Sequence, residues 1–157
     1  MGWVSIIIIL LICCIPIILR SNKEVKAGVI YSIWESTYIG GYDDVAGGKK
    51  AEILLFKNKL DINFVTNMSN SKSINIENIN TIKIMSQELI QNEISIGKML
   101  IFGVLAFGMR DNKTTVNNYL VVNYNEDNLN YNVILSVLSN SAMENLIKKY
   151  KEIKTGD

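Results

Sequence analysis

The chain contains no histidine, a single proline and only two cysteines. Without imidazole it has neither the commonest general base nor the commonest metal ligand, and the Ser/His/Asp and Cys/His catalytic arrangements are closed to it. Cys13 and Cys14 are adjacent inside an apolar run, so there is no disulfide framework and no zinc-ligand spacing. Charge of either sign is scarce in excess: 16 Lys+Arg oppose 15 Asp+Glu. A general nucleic-acid binder, which draws its affinity from phosphate neutralisation, is therefore not expected. Gly47-Gly48-Lys49-Lys50 lacks the spacing and the hydroxyl of a phosphate-binding loop. The adjacent carboxylates Asp43-Asp44 and Glu126-Asp127 fall in expected loops, where turn formation accounts for them. An acid–base pair would need its members in different environments. No catalytic residue, metal site or cofactor is expected.

What the chain does have is one long uncharged run. Residues 2–19 are eighteen positions without a charge, ended by Arg20. As a helix they would cover about 27 Å, close to the ~30 Å hydrocarbon layer of a bilayer. Trp3 stands where an interfacial aromatic anchor lies, and Ile6, Ile9, Leu10, Ile15 and Leu19 supply the lipid-facing surface. A cleaved signal peptide is the rival reading, but it would open on basic residues and close on a small-residue cleavage site. Nothing basic precedes this run, and Leu19-Arg20-Ser21 is not such a site. Residues 1–20 are read as a retained transmembrane anchor. Arg20, Lys23 and Lys26 follow it, so the positive-inside rule places the rest of the chain in the cytoplasm, on a single-pass protein of the cell membrane. Residues 21–28 form a short polar tether that holds whatever follows beside the bilayer, since so few residues extend less than ~30 Å.

From Val29 onward apolar residues recur at period two, the pattern of half-buried strands. Residues 29–39 read as extended, 40–50 as a glycine-rich loop, and 51–57 with 60–66 as a hairpin around Asn58-Lys59. Residues 73–86 read as two short strands or one kinked strand, broken near Glu77-Asn78, and 87–95 as a connector able to hold a helical turn. A second hairpin joins 119–124 to 131–138 around the polar residues 125–130. Ser139-Asn140-Ser141 offers helix-capping chemistry, and Met143, Leu146, Ile147, Tyr150 and Ile153 then fall on one helical face. The domain is expected over 29–153, with 154–157 a tail.

The apolar stretch 99–109, between Lys98 and Arg110, is too short to cross a bilayer as a helix. Two readings stay open: a buried strand, or a segment that dips into the membrane with Lys98, Arg110 and Lys113 at headgroup level.

Tyr38-Ile39-Gly40-Gly41-Tyr42, the AEILLFKNKLDINF hairpin, the Gly-containing stretch 97–109 and the strand from Tyr119 to Tyr124 together resemble the pleckstrin-homology-like superfold. More narrowly, the chain is similar to small bacterial PH/GRAM-like proteins. That resemblance implies a mainly-β α+β domain, an antiparallel barrel or sandwich of two near-orthogonal sheets with a C-terminal amphipathic helix across one open end. It implies binding or scaffolding without catalysis, with membrane lipid or a protein partner as ligand. Lipid-binding members carry a long basic first hairpin loop; here that turn is only Lys57-Asn58-Lys59, with Lys49 and Lys50 just upstream. These four lysines, together with Lys98, Arg110 and Lys113, are the candidate headgroup contacts, and solvated surface lysines are the ordinary alternative for the four. The expectation is thus a membrane-anchored binding module. Its alternative is a membrane-active small protein in which 99–109 also inserts.

Overall fold

The computed structural model describes residues 27–42, 44–65, 71–93 and 118–156. In chain order the elements are β1 (Val29–Gly40), β2 (Lys50–Phe56), β3 (Lys59–Phe64), β4 (Lys72–Asn75), a 3-10 turn (Ile76–Asn78), β5 (Ile79–Ser86), α1 (Gln87–Glu93), β6 (Asn118–Glu126), β7 (Leu129–Val137) and α2 (Asn140–Thr155). The strands form one antiparallel seven-stranded sheet in the order β4-β3-β2-β1-β7-β6-β5. The protein is mainly β with a C-terminal helix, as the sequence pattern requires.

The β2–β3 hairpin shows how the alternation becomes a core. Ala51, Ile53 and Leu55 on β2 stand opposite Phe64, Ile62 and Leu60 on β3, and all six are buried. Glu52, Leu54, Asp61 and Asn63 take the other face. β1 is the shared strand: residues Val29 to Thr37 pair with β2, and Ser36 to Gly40 pair with β7. The β1–β2 register slips by one residue between Val29 and Tyr31 and again between Ile33 and Ser36. Such bulges bend a strand and strengthen its twist, which lets β1 serve two half-sheets that lie at an angle.

β4 and β5 are the outermost strands on opposite edges, yet only the three-residue turn Ile76–Asn78 separates them in sequence. The sheet must therefore curl until its edges meet at that corner. It does not close: β4 and β5 do not pair, so the expected barrel is instead an open, curled sheet. Lacking a β4–β5 ladder, the corner is held by α2, which packs against β1, β5 and β7. Met143, Leu146 and Tyr150 are its buried residues. The helix starts where Ser139 Oγ accepts from the Ala142 N–H at 3.2 Å, and it stops at Gly156 in the left-handed region.

A second, smaller core lies on the outer face of the sheet. Ile90 of α1 is buried with Ile39, Met85, Tyr119, Val121 and Ile134. β6 is covered on both faces there, which is why Tyr119 to Val122 read as a continuous apolar run. The turn expected over residues 125–130 is tighter than the pattern indicated. Glu126 pairs with Leu129, leaving only Asp127 and Asn128, both at positive φ, as the two-residue connection.

Among the described residues no helix is long and apolar enough to cross a membrane. The expected anchor, with Trp3, Ile6, Ile9, Leu10, Ile15, Leu19 and Arg20, lies outside the described residues. So do the stretch 99–109 and its flanking Lys98, Arg110 and Lys113.

Candidate functional site

Of the candidate headgroup contacts, Lys49, Lys50, Lys57 and Lys59 lie among the described residues, and the fold does not bring these four together. Lys49 and Lys50 stand at one end of β2, Lys57 and Lys59 at the other. Seven residues of strand separate the pairs by roughly 20 Å. Lys59 is also committed locally: its ammonium donates to Asp61 Oδ2 at 2.6 Å and lies 4.9 Å from the Phe56 ring centroid. The first hairpin of the fold is β1–β2, not β2–β3, so the first loop is 41–49 and not the Lys57-Asn58-Lys59 turn.

That first loop is built around tyrosine. The Tyr42 N–H donates to the Tyr38 hydroxyl oxygen at 2.5 Å, and the Tyr38 hydroxyl donates in turn to the Tyr42 carbonyl at 3.3 Å. The loop's return is fixed by Gly48 N–H to Tyr38 O at 2.7 Å and Tyr38 N–H to Lys49 O at 2.8 Å. The Tyr42 ring lies 6.0 Å from that of Tyr38 and 6.5 Å from that of Tyr124, which stacks on Tyr131 at 5.4 Å. Phe64 meets Tyr38 edge-on at 5.2 Å. Lys72, at the start of β4, lies 5.3 Å over the Tyr42 ring and bridges to Asp44 Oδ2 at 2.7 Å. The loop thus joins β4 to the β6–β7 hairpin. Burial holds the Tyr42 hydroxyl well above the ordinary tyrosine range, with Tyr124 beside it adding to the effect. Burial likewise pushes Tyr124 up to about 12. Both hydroxyls stay neutral at physiological pH, and their rings plug the first loop against the sheet.

On the outer face of β5–β7, Asn80, Asn123, Asn125, Asn130 and Asn132 form a ladder of amides. Asn123 stands opposite Asn132, and Asn125 opposite Asn130. Asn80 donates to Asn123 at 2.8 Å and to Asn125 at 3.1 Å, while Asn123 donates to Asn130 and to Asn132. The amides satisfy one another across three strands. From sequence only Asn125 and Asn130 fall in the polar connection over 125–130, and Asn80, Asn123 and Asn132 fall in expected strands with no sign of a shared network.

Two of the surface clefts among the described residues bear on these side chains. One, about 690 Å³, lies between the β2–β3 turn and the end of α2, lined by Lys57, Asn58, Asn75, Glu77, Ile153 and Lys154. The Lys154 ammonium is already spent on the carbonyls of Ile76 (3.2 Å) and Ile79 (2.8 Å), and the lining also carries Lys57 and Glu77, of opposite charge. The other, about 240 Å³, sits where β1 passes from β2 to β7, between Trp34, Val65 and Leu138, with Glu35, Thr37 and Lys50 around it. Those three apolar side chains are 36%, 63% and 77% exposed. Periodicity could not single out this patch, because Trp34 falls in a bulge and Val65 and Leu138 lie just past strand ends.

Among the described residues no three His, Cys, Asp or Glu side chains gather as a metal site would require. No known protein family matches the chain, and no curated protein does. Among solved structures it is similar to one described as the C-terminal domain of an unknown protein from Leishmania infantum. The two share 15% identity with a TM-score of 0.44, over 87% of this chain and 97% of that one.

Proposed function

We propose that the chain is a membrane-anchored, non-catalytic binding module that presents a pleckstrin-homology-like domain at the cytoplasmic face of the cell membrane. The observation that carries this reading is the uncharged run 2–19, followed after only a short polar tether by a β domain that starts at Val29. Eighteen such residues suit a bilayer and would be hard to hide in so small a soluble core. The pleckstrin-homology-like assignment is supported by two antiparallel half-sheets that share β1, curl about one core and carry a C-terminal helix across the opening. The lack of histidine supports binding over catalysis. In this reading the tether holds the domain near lipid and raises its effective concentration for a partner resident there. Exposed backbone edges and the outer face of α2 are the surfaces such a partner would use.

The test is fractionation of cells expressing the full chain. The protein should stay in membranes through alkaline carbonate washing, and protease added outside intact cells should leave residues 21–157 uncut. A soluble protein with a mature amino terminus near Ser21, or digestion of the domain from outside, would overturn the proposal.

A further inference from the structure

Trp34, Val65 and Leu138 are large apolar side chains from three separate parts of the chain, and all three line one cleft on the outside of the sheet. Trp34 falls in the register slip between Ile33 and Ser36, and bulges re-aim side chains that regular pleating would direct elsewhere. Leu138 follows β7 directly and precedes the Ser139 cap; Val65 follows β3, with its N–H donating to Lys50 O at 3.1 Å. Backbone geometry therefore fixes all three where they stand, and they are not the frayed ends of a core. Ile30, at the other register slip of β1, is a further exposed apolar residue on the same strand.

We infer that this patch docks on the lipid surface beside the anchor, an inference that rests on the membrane-anchored reading above. Two facts choose lipid as the occupant. The chain outside the structure that leads into β1 carries the eighteen-residue uncharged run, and it joins the domain only five residues before Trp34. Five residues of strand span about 17 Å, and the tether before them extends less than ~30 Å, so Trp34 is held within a few tens of ångströms of the point where the chain leaves the bilayer. The composition also suits an interface: an indole flanked by aliphatic groups is the side-chain set that settles at the headgroup boundary. Lys50 and Glu35 offset each other at the rim, so insertion is apolar in character and does not need anionic lipid. The domain would then sit in a fixed orientation on the membrane, leaving the amide ladder and α2 as surfaces to be surveyed for a partner.

The two tryptophans of the chain make the test direct. The full chain is reconstituted into phosphatidylcholine vesicles with brominated acyl chains, once as Trp3→Phe, leaving Trp34 as reporter, and once as Trp34→Phe, leaving Trp3. The expected result is bromolipid quenching of both reporters, with Val65→Ser/Leu138→Ser strongly reducing it at Trp34 and leaving it unchanged at Trp3. Quenching at Trp3 with none at Trp34 overturns the docking and leaves the anchor standing. Absence of quenching at both overturns the anchored reading and the docking with it. Trp34 shielded from aqueous iodide yet not quenched by bromolipid assigns the patch to a second copy of the chain and overturns the inference. Quenching at Trp34 that the double serine variant leaves unchanged overturns it too.

Discussion

The Tyr150 hydroxyl donates to the carbonyl oxygen of Ile79 at 3.0 Å, joining residues 71 positions apart. Ile79 opens β5 immediately after the turn where the sheet's two edges meet, so this bond ties α2 to the one corner that no ladder closes. Lys154, one helical turn further on, donates to the same oxygen at 2.8 Å and to Ile76 O at 3.2 Å. The two donors back each other up. Tyr150→Phe should cost about 0.5–1.5 kcal/mol, because Lys154 still satisfies the acceptor. Lys154→Met in the Tyr150→Phe background should cost more than Lys154→Met alone, since a shared acceptor makes the pair non-additive. Urea unfolding of the four members of the cycle measures this; strict additivity would show that the bonds act independently.

Gly41 is the tightest point of the first loop. Its φ is +130, and a Cβ there would lie 2.3 Å from Asn132 O and 2.8 Å from Val133 Cα, both main-chain atoms that cannot swing aside. Gly41→Ala should cost about 1–3 kcal/mol from backbone conformation alone, with the clash added. Gly48, in the same loop at φ +86, has nothing within 4 Å of its would-be Cβ. Gly48→Ala should therefore cost only about 1–2 kcal/mol for left-handed backbone. Thermal melts of the two variants should rank in that order, and equal losses would mean that the approach of Gly41 to β7 is not tight.

Leu146 and Leu138 give a paired test of core and surface. Leu146, on the inward face of α2, is fully buried, whereas Leu138 is 77% exposed. Leu146→Ala should destabilise by about 2–5 kcal/mol, and Leu138→Ala should stay within about 0.5 kcal/mol of the parent. Guanidinium midpoints would check both. A large loss at Leu138 would mark it as a core residue and remove the basis for treating its exposure as functional.

Much of the fold could be read from the sequence where one physical rule acts alone. Ile53 and Leu55 against Ile62 and Leu60 obey strict alternation, and Met143, Leu146 and Tyr150 obey helical spacing behind a serine cap. The reading lost ground where two rules compete. Residues 29–39 look like a plain strand, but bulges at Ile30 and Trp34 break the alternation, and no local pattern marks a bulge. Tyr119 and Val121 are buried on the outer face because Ile90 covers them, a contact made by a segment read only as a connector. The lysines were the weakest guide. Lys49 and Lys57 look close in sequence but sit at opposite ends of β2. Lys72, which no motif marks, is the cation that meets Tyr42 and Asp44.

Alkaline pH should loosen the tyrosine plug first. Burial holds Tyr42 well above its ordinary 10.0 and pushes Tyr124 up to about 12, so the folded protein keeps protons that the unfolded chain releases near pH 10. Between those values the unfolded state binds fewer protons, and the slope of unfolding free energy against pH is negative. Stability is complete below the unfolded tyrosine value and falls as pH rises toward and through the folded ones. Unfolding midpoints in urea should drop from about pH 10 upward. Tyr42→Phe removes one of the protons that drive this loss, so its midpoint should fall less steeply with pH even though it starts lower. Tyrosinate absorbance of the folded chain should show Tyr42, Tyr124 and Tyr150, all raised by burial, ionising after ordinary tyrosines. An unfolding midpoint that Tyr42→Phe leaves equally sensitive to alkali would show that the 41–49 loop does not bury its ring as described.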